Sequence, residues 1–444
     1  MSETATAQNP EAISIADLAD SWPILSTEER LEGFRLVDRD AAEEFFTSLS
    51  ALDQADLLQI MTPAEARHLL RQLAPDDAAD VLQAVPPAKR AAFLDLLDES
   101  ARREVTALLA YAEDDAGGLM SPRYARLRPE LRVDEAIAYL RIQARERLET
   151  IYYVYVLDSE QHLLGVVSFR ELFAAAPDKS VADVMQPVAV AAREDMDQEE
   201  LSRLFRQYGY LAIPVVDPEN RMRGIVTIDD IVDVVEEEAT EDIQKLGGME
   251  ALDAPYLQIA FPRMVRKRAG WLAALFLGEM LTATAMAYFE DEIARAVVLA
   301  LFVPLIISSG GNSGSQATTL VIRAMALGEV KLRDWWRVIR RELAAGVALG
   351  SVLGTIGFLR IVLWQAVTPT YGEHYRLVAL TVFSSLIGVV TFGTVAGSLL
   401  PFVLRRLGFD PASASAPFVA TLVDVTGLLI YFTTARLFLR GALL

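Results

Sequence analysis

A carboxylate, Asp424, lies near the centre of an apolar run from Ala416 to Leu437 that is long enough to cross a bilayer as a helix. An ionised acid at that depth costs at least ~2.5 kcal/mol unless it faces protein or water. Ala420 lies one turn before Asp424 on the same helix face, and Pro417 is expected to loosen the helix and free backbone carbonyls. Oxygen ligands of this kind suit a hard cation such as Mg2+. The alternative is a buried Asp that bonds to a neighbouring helix.

A second apolar segment carries polar residues and glycines at the same depth. It runs from Pro304 to Gln316 and contains Gly310, Asn312 and Gly314. The two glycines alone are a weak signal for close helix packing. Together with Asn312 and Gln316 they favour a broken helix that faces water.

The charge of the chain is divided between its two halves. Residues 1–262 hold 24 basic and 51 acidic side chains, a net charge of −27, whereas residues 263–444 hold 17 and 10, a net charge of +7. The acidic half repels phosphate backbones, so nucleic acid is excluded as a partner, and it could attract divalent cations instead. The absence of cysteine excludes disulfides and thiol catalysis. The chain starts polar and acidic without a secretory signal, so we expect its soluble half to stay in the cytoplasm.

Apolar length predicts five membrane spans, roughly 269–289, 295–324, 342–367, 376–404 and 413–438. Basic residues precede the first span and fill the loops after the second and the fourth, whereas Glu290 to Glu292 lie on the other side. By the positive-inside rule, the N-terminus is inside and the C-terminus outside a plasma (inner) membrane. Membrane lipid is therefore a predicted partner.

The soluble half divides into two kinds of repeat. After a disordered segment predicted over 1–12, short helices with Pro at their starts fill 13–119. Two strand–turn–strand–helix units then follow, over 120–183 and 184–245, and they resemble a tandem pair of CBS domains. Such pairs often sense adenine nucleotides. Ser168 and Glu171 could hold a ribose and phosphate, or they could simply cap the following helix.

An acidic face precedes the membrane half. Glu238, Glu241 and Asp242 share one side of a helix, where three like charges repel unless something neutralises them. Binding of a cation and simple solvation are both open at this point. A connecting helix is predicted over 246–268, followed by a transmembrane pore domain over 269–444.

The complete pattern resembles the MgtE family of magnesium channels. The motifs that carry the resemblance are Pro304…Gly310-Gly311-Asn312-Ser313-Gly314-Ser315-Gln316 and Ala420-Thr421-Leu422-Val423-Asp424-Val425-Thr426-Gly427. The resemblance implies a multidomain fold: an all-α helical-repeat N domain, an α/β CBS pair, a connecting (plug) helix and five α-helical spans per subunit. It also implies a homodimer with a central pore that recognises hydrated Mg2+ through Asp424, the Ala420 carbonyl and Asn312.

Regulation is implied by the same resemblance. Cytosolic Mg2+ is expected to bridge acidic faces and close the pore, and the residues implied in this gate are Asp76, Asp80, Asp230, Asp233, Glu238, Glu241, Asp242 and Asp410. ATP is implied as a ligand of the CBS pair, through Tyr153, Arg170, Glu171 and Tyr210. The chain departs from the family at Ala416, where relatives carry Asn, at Gly209, where they carry an acid, and at Glu171, where they can carry Asp.

Two rival functions remain open at this point. One is a broader divalent cation transporter that carries Co2+, and the other is a membrane-anchored nucleotide sensor without transport. The polar second span and Asp424 disfavour the sensor, because an anchor needs neither. An enzyme is not expected, because no nucleophile–base pair or cofactor loop is present.

Overall fold

The computed structural model of the chain describes residues 14–145 and 148–443. These residues belong to two units, one that ends at Glu238 and one that begins at Ala239. The disorder predicted for 1–12 lies outside the described residues.

The first unit begins with eight short helices. Ser26 and Thr62 each form a capping box with the Glu three residues later, and Pro75 occupies a first turn, where no backbone donor is lost. Buried apolar side chains such as Leu57 and Leu82 join the helices into one core. The predicted all-α N domain is confirmed. Its helices are α1 (Ile15–Ser21), α2 (Thr27–Leu36), α3 (Arg39–Thr47), α4 (Ala51–Ile60), α5 (Pro63–Leu70), α6 (Pro75–Ala84), α7 (Pro87–Leu94) and α8 (Glu99–Leu108).

Two three-stranded sheets then repeat one arrangement, in which the first two strands are parallel and the last two antiparallel. The tandem α/β pair is thus confirmed. The first repeat holds β1 (Tyr124–Leu127), α9 (Val133–Gln143), β2 (Thr150–Leu157), β3 (Leu163–Ser168), α10 (Phe169–Ala174) and α11 (Val181–Val184). The second repeat holds β4 (Ala192–Arg193), α12 (Gln198–Tyr208), β5 (Ala212–Val216), β6 (Met222–Thr227) and α13 (Ile228–Leu246).

The two repeats exchange their opening segments. Ser121 forms a bridge with β6 of the second repeat, and Gln186 forms one with β3 of the first. Glycine makes this approach possible, because a Cβ at Gly165 would lie 2.8 Å from the Gln186 carbonyl oxygen and one at Gly224 would lie 2.7 Å from that of Ser121. The pair is therefore one interlocked body rather than two separate domains.

The second unit holds five helices that are long and apolar enough to cross a membrane. Glycines join them closely: a Cβ at Gly397 would lie 2.3 Å from the Gly314 carbonyl oxygen, and Gly350 meets Ile387 in the same way. The five are α14 (Phe261–Tyr288), α16 (Val303–Ala326), α17 (Trp335–Val367), α18 (Tyr375–Arg406) and α19 (Ala416–Leu439), and the short helix α15 (Glu290–Arg295) follows α14. The five predicted spans are confirmed.

Three local expectations differ from the structure. The predicted break in the second span is wrong, because α16 is a continuous helix whose glycine face packs on α18. The predicted loosening at Pro417 is also wrong, because Ser415 caps α19 and Pro417 lies in its first turn. The stretch predicted as one connecting helix, 246–268, is divided, since α13 ends at Leu246 and α14 begins at Phe261.

Candidate ion pathway and cation-binding surfaces

The predicted pore residues lie on neighbouring helices, α16 and α19. A Cβ at Gly311 would lie 3.5 Å from the Cα of Ala420, so the two helices touch one turn before Asp424. Asn312 is exposed in the single chain, and Ala420 and Asp424 are partly exposed. The structure thus brings the helices of all three predicted residues together, with none of the three buried in the single chain.

A polar stripe extends along the open side of α16. Ser308, Asn312 and Gln316 follow each other at four-residue spacing and are all exposed. The adjacent Ser315 hydroxyl donates a hydrogen bond to the carbonyl of Ala416, 3.3 Å away. Polar groups at membrane depth require protein or water beside them. This face is therefore suited to line an aqueous path rather than to meet lipid.

A second intramembrane carboxylate, Glu279, faces Asp424 from α14. The two carboxyl groups lie within hydrogen-bonding reach of each other. Close packing of α14 on α19 places them there, since a Cβ at Gly278 would lie 2.9 Å from Cγ2 of Thr421. Sequence reasoning missed Glu279, although an acid inside an apolar span was the signal that singled out Asp424.

The predicted gating acids of the first unit converge on one contact between the N domain and the second CBS repeat. Asp76 is buried at the start of α6, and its Oδ1 atom has no hydrogen-bond partner. Burial, and then the charge of Asp230, hold the pKa of the Asp76 carboxyl well above its usual range. Burial also raises the pKa of Asp230 to about 7, against the opposing hydrogen bonds from Thr227.

Asp80 and Asp233 belong to the same contact. Burial, followed by the charge of Glu113, holds the pKa of the Asp80 carboxyl well above its usual range. Partial desolvation, followed by the charges of Glu236 and Asp229, raises the pKa of the exposed Asp233. Among the residues that the structure describes, no three acids or histidines form a ready-made metal site. The contact is therefore a cluster of acids in which desolvation and mutual repulsion favour a bound proton or cation.

Further acids that sequence reasoning missed surround this contact. Desolvation by the surrounding protein, followed by neighbouring carboxylates, raises the pKa of Asp77 and of Glu237, whose side chains are exposed, and desolvation also raises the pKa of the half-buried Glu149. Glu149 precedes β2 and lies 73 positions after Asp76 in the chain. No local pattern in the sequence connects the two, because their proximity arises only from the packing of the N domain on the CBS pair.

The acidic face predicted at the end of the second CBS repeat is divided in the structure. Glu238 accepts a hydrogen bond of 2.7 Å from Gln198. Glu241 instead pairs with Lys245, whose Nζ also lies 2.6 Å from Oδ2 of Asp410. Asp242 is half-buried beside them on α13. An ammonium group therefore stands between Glu241 and Asp410, where sequence reasoning expected a divalent ion.

No contact in the described part of the chain brings together the four residues that were predicted to bind nucleotide. Glu171 forms a capping box with Ser168, in which its Oε2 accepts from both the backbone and the hydroxyl of that residue. This is the capping alternative considered above. Arg170 is exposed, Tyr153 pairs with Ser168 in the sheet, and Tyr210 stacks on Tyr208 with ring centroids 5.7 Å apart.

Comparisons with known proteins cover nearly the whole chain. Three family profiles match in order: the MgtE intracellular N domain over residues 13–114, the CBS domain over 116–178 and 181–237, and MgtE, described as a divalent cation transporter, over 303–434. The magnesium transporter MgtE of Thermus thermophilus is 43% identical over 97% of this chain and 94% of its own length. That of Enterococcus faecalis is 34% identical over 76% of this chain and 72% of its own.

A solved structure is also similar. It is the cytosolic domain of the Mg2+ channel MgtE in complex with ATP, which is 44% identical and covers 50% of this chain and 90% of its own, with a TM-score of 0.47. Fold and site together define a membrane protein of the cation-transporter class that carries a CBS pair. The chain belongs to the MgtE family. Its relatives are named transporters, which agrees with the prediction that it is not an enzyme.

Proposed function

We propose that this protein is a magnesium-selective channel or transporter whose pore forms between two copies of the chain. The observation that carries the proposal is the open polar face of α16 and α19 around Asp424. In one chain this face is uncovered, and a second copy would enclose it. A two-fold axis along the pore would pair two Asp424 carboxylates, which match the charge of one Mg2+.

The ligands available suit an ion that keeps its water. Asp424 supplies a carboxylate, while Asn312 and the carbonyl of Ala420 supply neutral oxygens. Mg2+ dehydrates reluctantly and usually retains several waters in protein sites. We infer that these groups bind the hydrated ion through its water shell.

A broader divalent cation transporter is the second candidate. The description of the matching family, a divalent cation transporter, favours it. Carboxylate, amide and carbonyl oxygens alone do not exclude Co2+. A membrane-anchored sensor without transport is disfavoured, because an anchor requires neither Asp424 nor Glu279.

We further propose that cytosolic Mg2+ closes the pore. Asp76, Asp80, Asp230 and Asp233 would share ions between the N domain and the CBS pair. The buried, unpartnered oxygen of Asp76 supports this, because a buried charge without a partner is costly and a cation would relieve that cost. The family resemblance also implied Glu238, Glu241, Asp242 and Asp410 as gating ligands, but the Lys245 ammonium already bonds to Glu241 and Asp410, so the proposed gate rests on the four acids around Asp76.

ATP is proposed as a ligand of the CBS pair, near Tyr153, Arg170, Glu171 and Tyr210. The interlocked repeats support the proposal, because a ligand between them would act on both. With Glu171 engaged in its cap, Arg170 is the predicted residue that is open to a phosphate.

The proposed placement follows the charge of the loops. The N domain (13–119), the CBS repeats (120–183 and 184–245) and the connecting segment (246–268) would lie in the cytoplasm. The pore domain (269–444) would lie in the plasma membrane with its C-terminus outside, and the functional form would be a homodimer.

The pore is tested by flux measurements in liposomes. Asp424→Asn should abolish Mg2+ uptake or remove its selectivity while the protein stays folded, because it removes the carboxylate that faces the ion. Asp291→Asn is the matched control, since it removes an exposed acid outside the proposed pore. Uptake of Mg2+ by Asp424→Asn at the rate of the unchanged protein would overturn the proposal. Parallel uptake of Mg2+ and Co2+ by the unchanged protein would select the broader candidate.

The gate is tested with Asp76→Asn/Asp80→Asn. This variant should keep its flux at high Mg2+ on the soluble-domain side, where the unchanged protein closes. Asp38→Asn/Asp40→Asn changes the same charge at exposed positions of the N domain and should leave closure intact. Normal closure of the Asp76/Asp80 variant would show that the acids of the N domain do not form the gate.

A further inference from the structure

The end of α13 is attached to the segment before α19 by one ammonium group. Nζ of Lys245 lies 2.6 Å from Oδ2 of Asp410 and also contacts the Glu241 carboxylate one turn earlier in the helix. Burial opposes the charge on Lys245, but hydrogen bonds from its ammonium to Asp410 and Glu241 raise its pKa above the usual range. Lys245 is therefore a fixed cation under physiological conditions.

Both carboxylate oxygens of Asp410 already have a hydrogen-bond partner. Its Oδ1 accepts a 2.8 Å hydrogen bond from the backbone N–H of Ala412 and thereby caps the short turn that leads into α19, while its Oδ2 accepts from Lys245. A divalent ion at this carboxylate would have to share it with the ammonium on Oδ2 and with the turn on Oδ1.

The contacts next to this ion pair reach α19 directly. Leu246 packs against the buried Ala412 and Ala414. Gly248 adopts φ +72°, and a Cβ there would lie 3.3 Å from Oγ of Ser415, the residue that caps α19. The pair therefore holds the end of α13 against the start of the helix that carries Asp424.

We propose that Lys245 is a built-in counter-cation that replaces a divalent ion at this contact. The three side chains share one positive and two negative charges, so the contact holds without Mg2+. Mg2+ sensing is then confined to the acidic contact around Asp76 and Asp230. This inference concerns the regulation of the proposed channel, but the contact itself can be measured without any flux.

Amide hydrogen exchange of the full-length protein in nanodiscs tests the inference. The reporter is the loop over 247–253, whose Leu252 N–H donates 2.6 Å to the Gln244 side chain on α13. In the unchanged protein we expect equal protection of this loop in zero and in ~10 mM Mg2+, the millimolar regime of weak carboxylate sites. Lys245→Gln should exchange ~10-fold faster without Mg2+, because two facing carboxylates lose their counter-charge, and Mg2+ should restore protection.

Two further variants complete the design. Lys245→Arg keeps the charge and should behave like the unchanged protein, whereas Lys331→Gln removes an exposed lysine elsewhere in the same unit and should have no effect. Protection of α18 shows in every sample that the membrane helices are folded. The inference is overturned if the loop of the unchanged protein depends on Mg2+ as strongly as that of Lys245→Gln, or if Lys245→Gln exchanges normally without Mg2+. Because neither result involves transport, failure here leaves the proposed pore untouched.

Discussion

Glu279→Gln is the substitution that best tests how this chain handles an ion near Asp424. It removes one of two carboxyl groups that meet between α14 and α19. Within the part of the chain that the structure describes, neither acid forms an ion pair with a Lys or Arg. Without a cation the two groups can share a proton, and in a cation pathway the permeating ion can replace that proton as their counter-charge.

The size of the effect follows from simple electrostatics. Two unit charges ~4 Å apart interact by ~4 kcal/mol at an effective dielectric constant of ~20, and desolvation offsets much of this. We therefore expect Glu279→Gln to weaken apparent Mg2+ affinity by ~1–2 kcal/mol, which corresponds to ~5–30-fold. The residual site keeps Asp424, so transport should persist, with weaker discrimination against monovalent ions.

The assay is Mg2+ uptake into liposomes over a range of concentrations, with competing K+ and Co2+. Glu279→Asp keeps the charge and should retain most of the affinity. Glu290→Gln, an exposed acid just beyond the end of α14, serves as the matched control. An unchanged concentration dependence for Glu279→Gln would refute the reasoning and show that Glu279 has no contact with the ion.

Two further predictions concern packing and pH. Gly397→Ala should destabilise the membrane unit by ~1–3 kcal/mol, because the new Cβ would lie 2.3 Å from a backbone oxygen. Gly388→Ala is the control and should destabilise the unit less, because its Cβ would meet only the side chain of Ile430 at 3.0 Å. Thermal unfolding in detergent compares the two variants, and equal melting temperatures would contradict the prediction. Without divalent ions, the contact around Asp230 should become more stable as pH falls from ~8 to ~6. The pKa of Asp230 is raised from 3.8 to about 7 in the folded protein, so the folded state binds this proton more tightly than the unfolded state does. The stability gained in this way is lost as pH rises through about 7. Amide exchange of α6 measures the change, and Asp230→Asn should flatten it.

Much of the fold was predictable because its signals are local. Apolar runs of sufficient length set the five spans, and Pro at first turns set the starts of the N-domain helices. The start of α19 could also have been predicted, because Ser415 before Pro417 is a typical helix-start pattern. Pro417 was instead interpreted as a disruption of the helix. The close packing of α16 on α18 could not be predicted from the local sequence, because its partners Gly393 and Gly397 lie far away in the chain.

In the candidate site, too, features with a local signal could be predicted, whereas those that depend on the packing of distant segments could not. Asp424 and Glu279 carry an identical local signal, an acid in an apolar span, so both could be found from the sequence. The acidic contact around Asp76 could be found only in part, because Glu149 joins it through the packing of separate domains. The sequence does not show which distant segments pack together. That packing decides whether a cluster of like charges is solvated, neutralised by a counter-charge or able to bind an ion.

Lys245 shows how that pairing changes an interpretation. Glu241 and Lys245 are an ordinary helical pair at four-residue spacing, which by itself suggests only a solvated surface. Asp410 lies 165 positions further along the chain, and the fold places it beside Lys245, which becomes the shared counter-charge of two acids. The two carboxylates alone would suggest a divalent ion at this contact. With the Lys245 ammonium included, the net charge of the three groups is −1, and the contact can form without a metal ion. In the acidic contact around Asp76, the nearby Arg123 acts on Glu149, whereas no described ion pair joins Asp76, Asp80, Asp230 or Asp233 to a Lys or Arg, and we therefore expect Mg2+ control there.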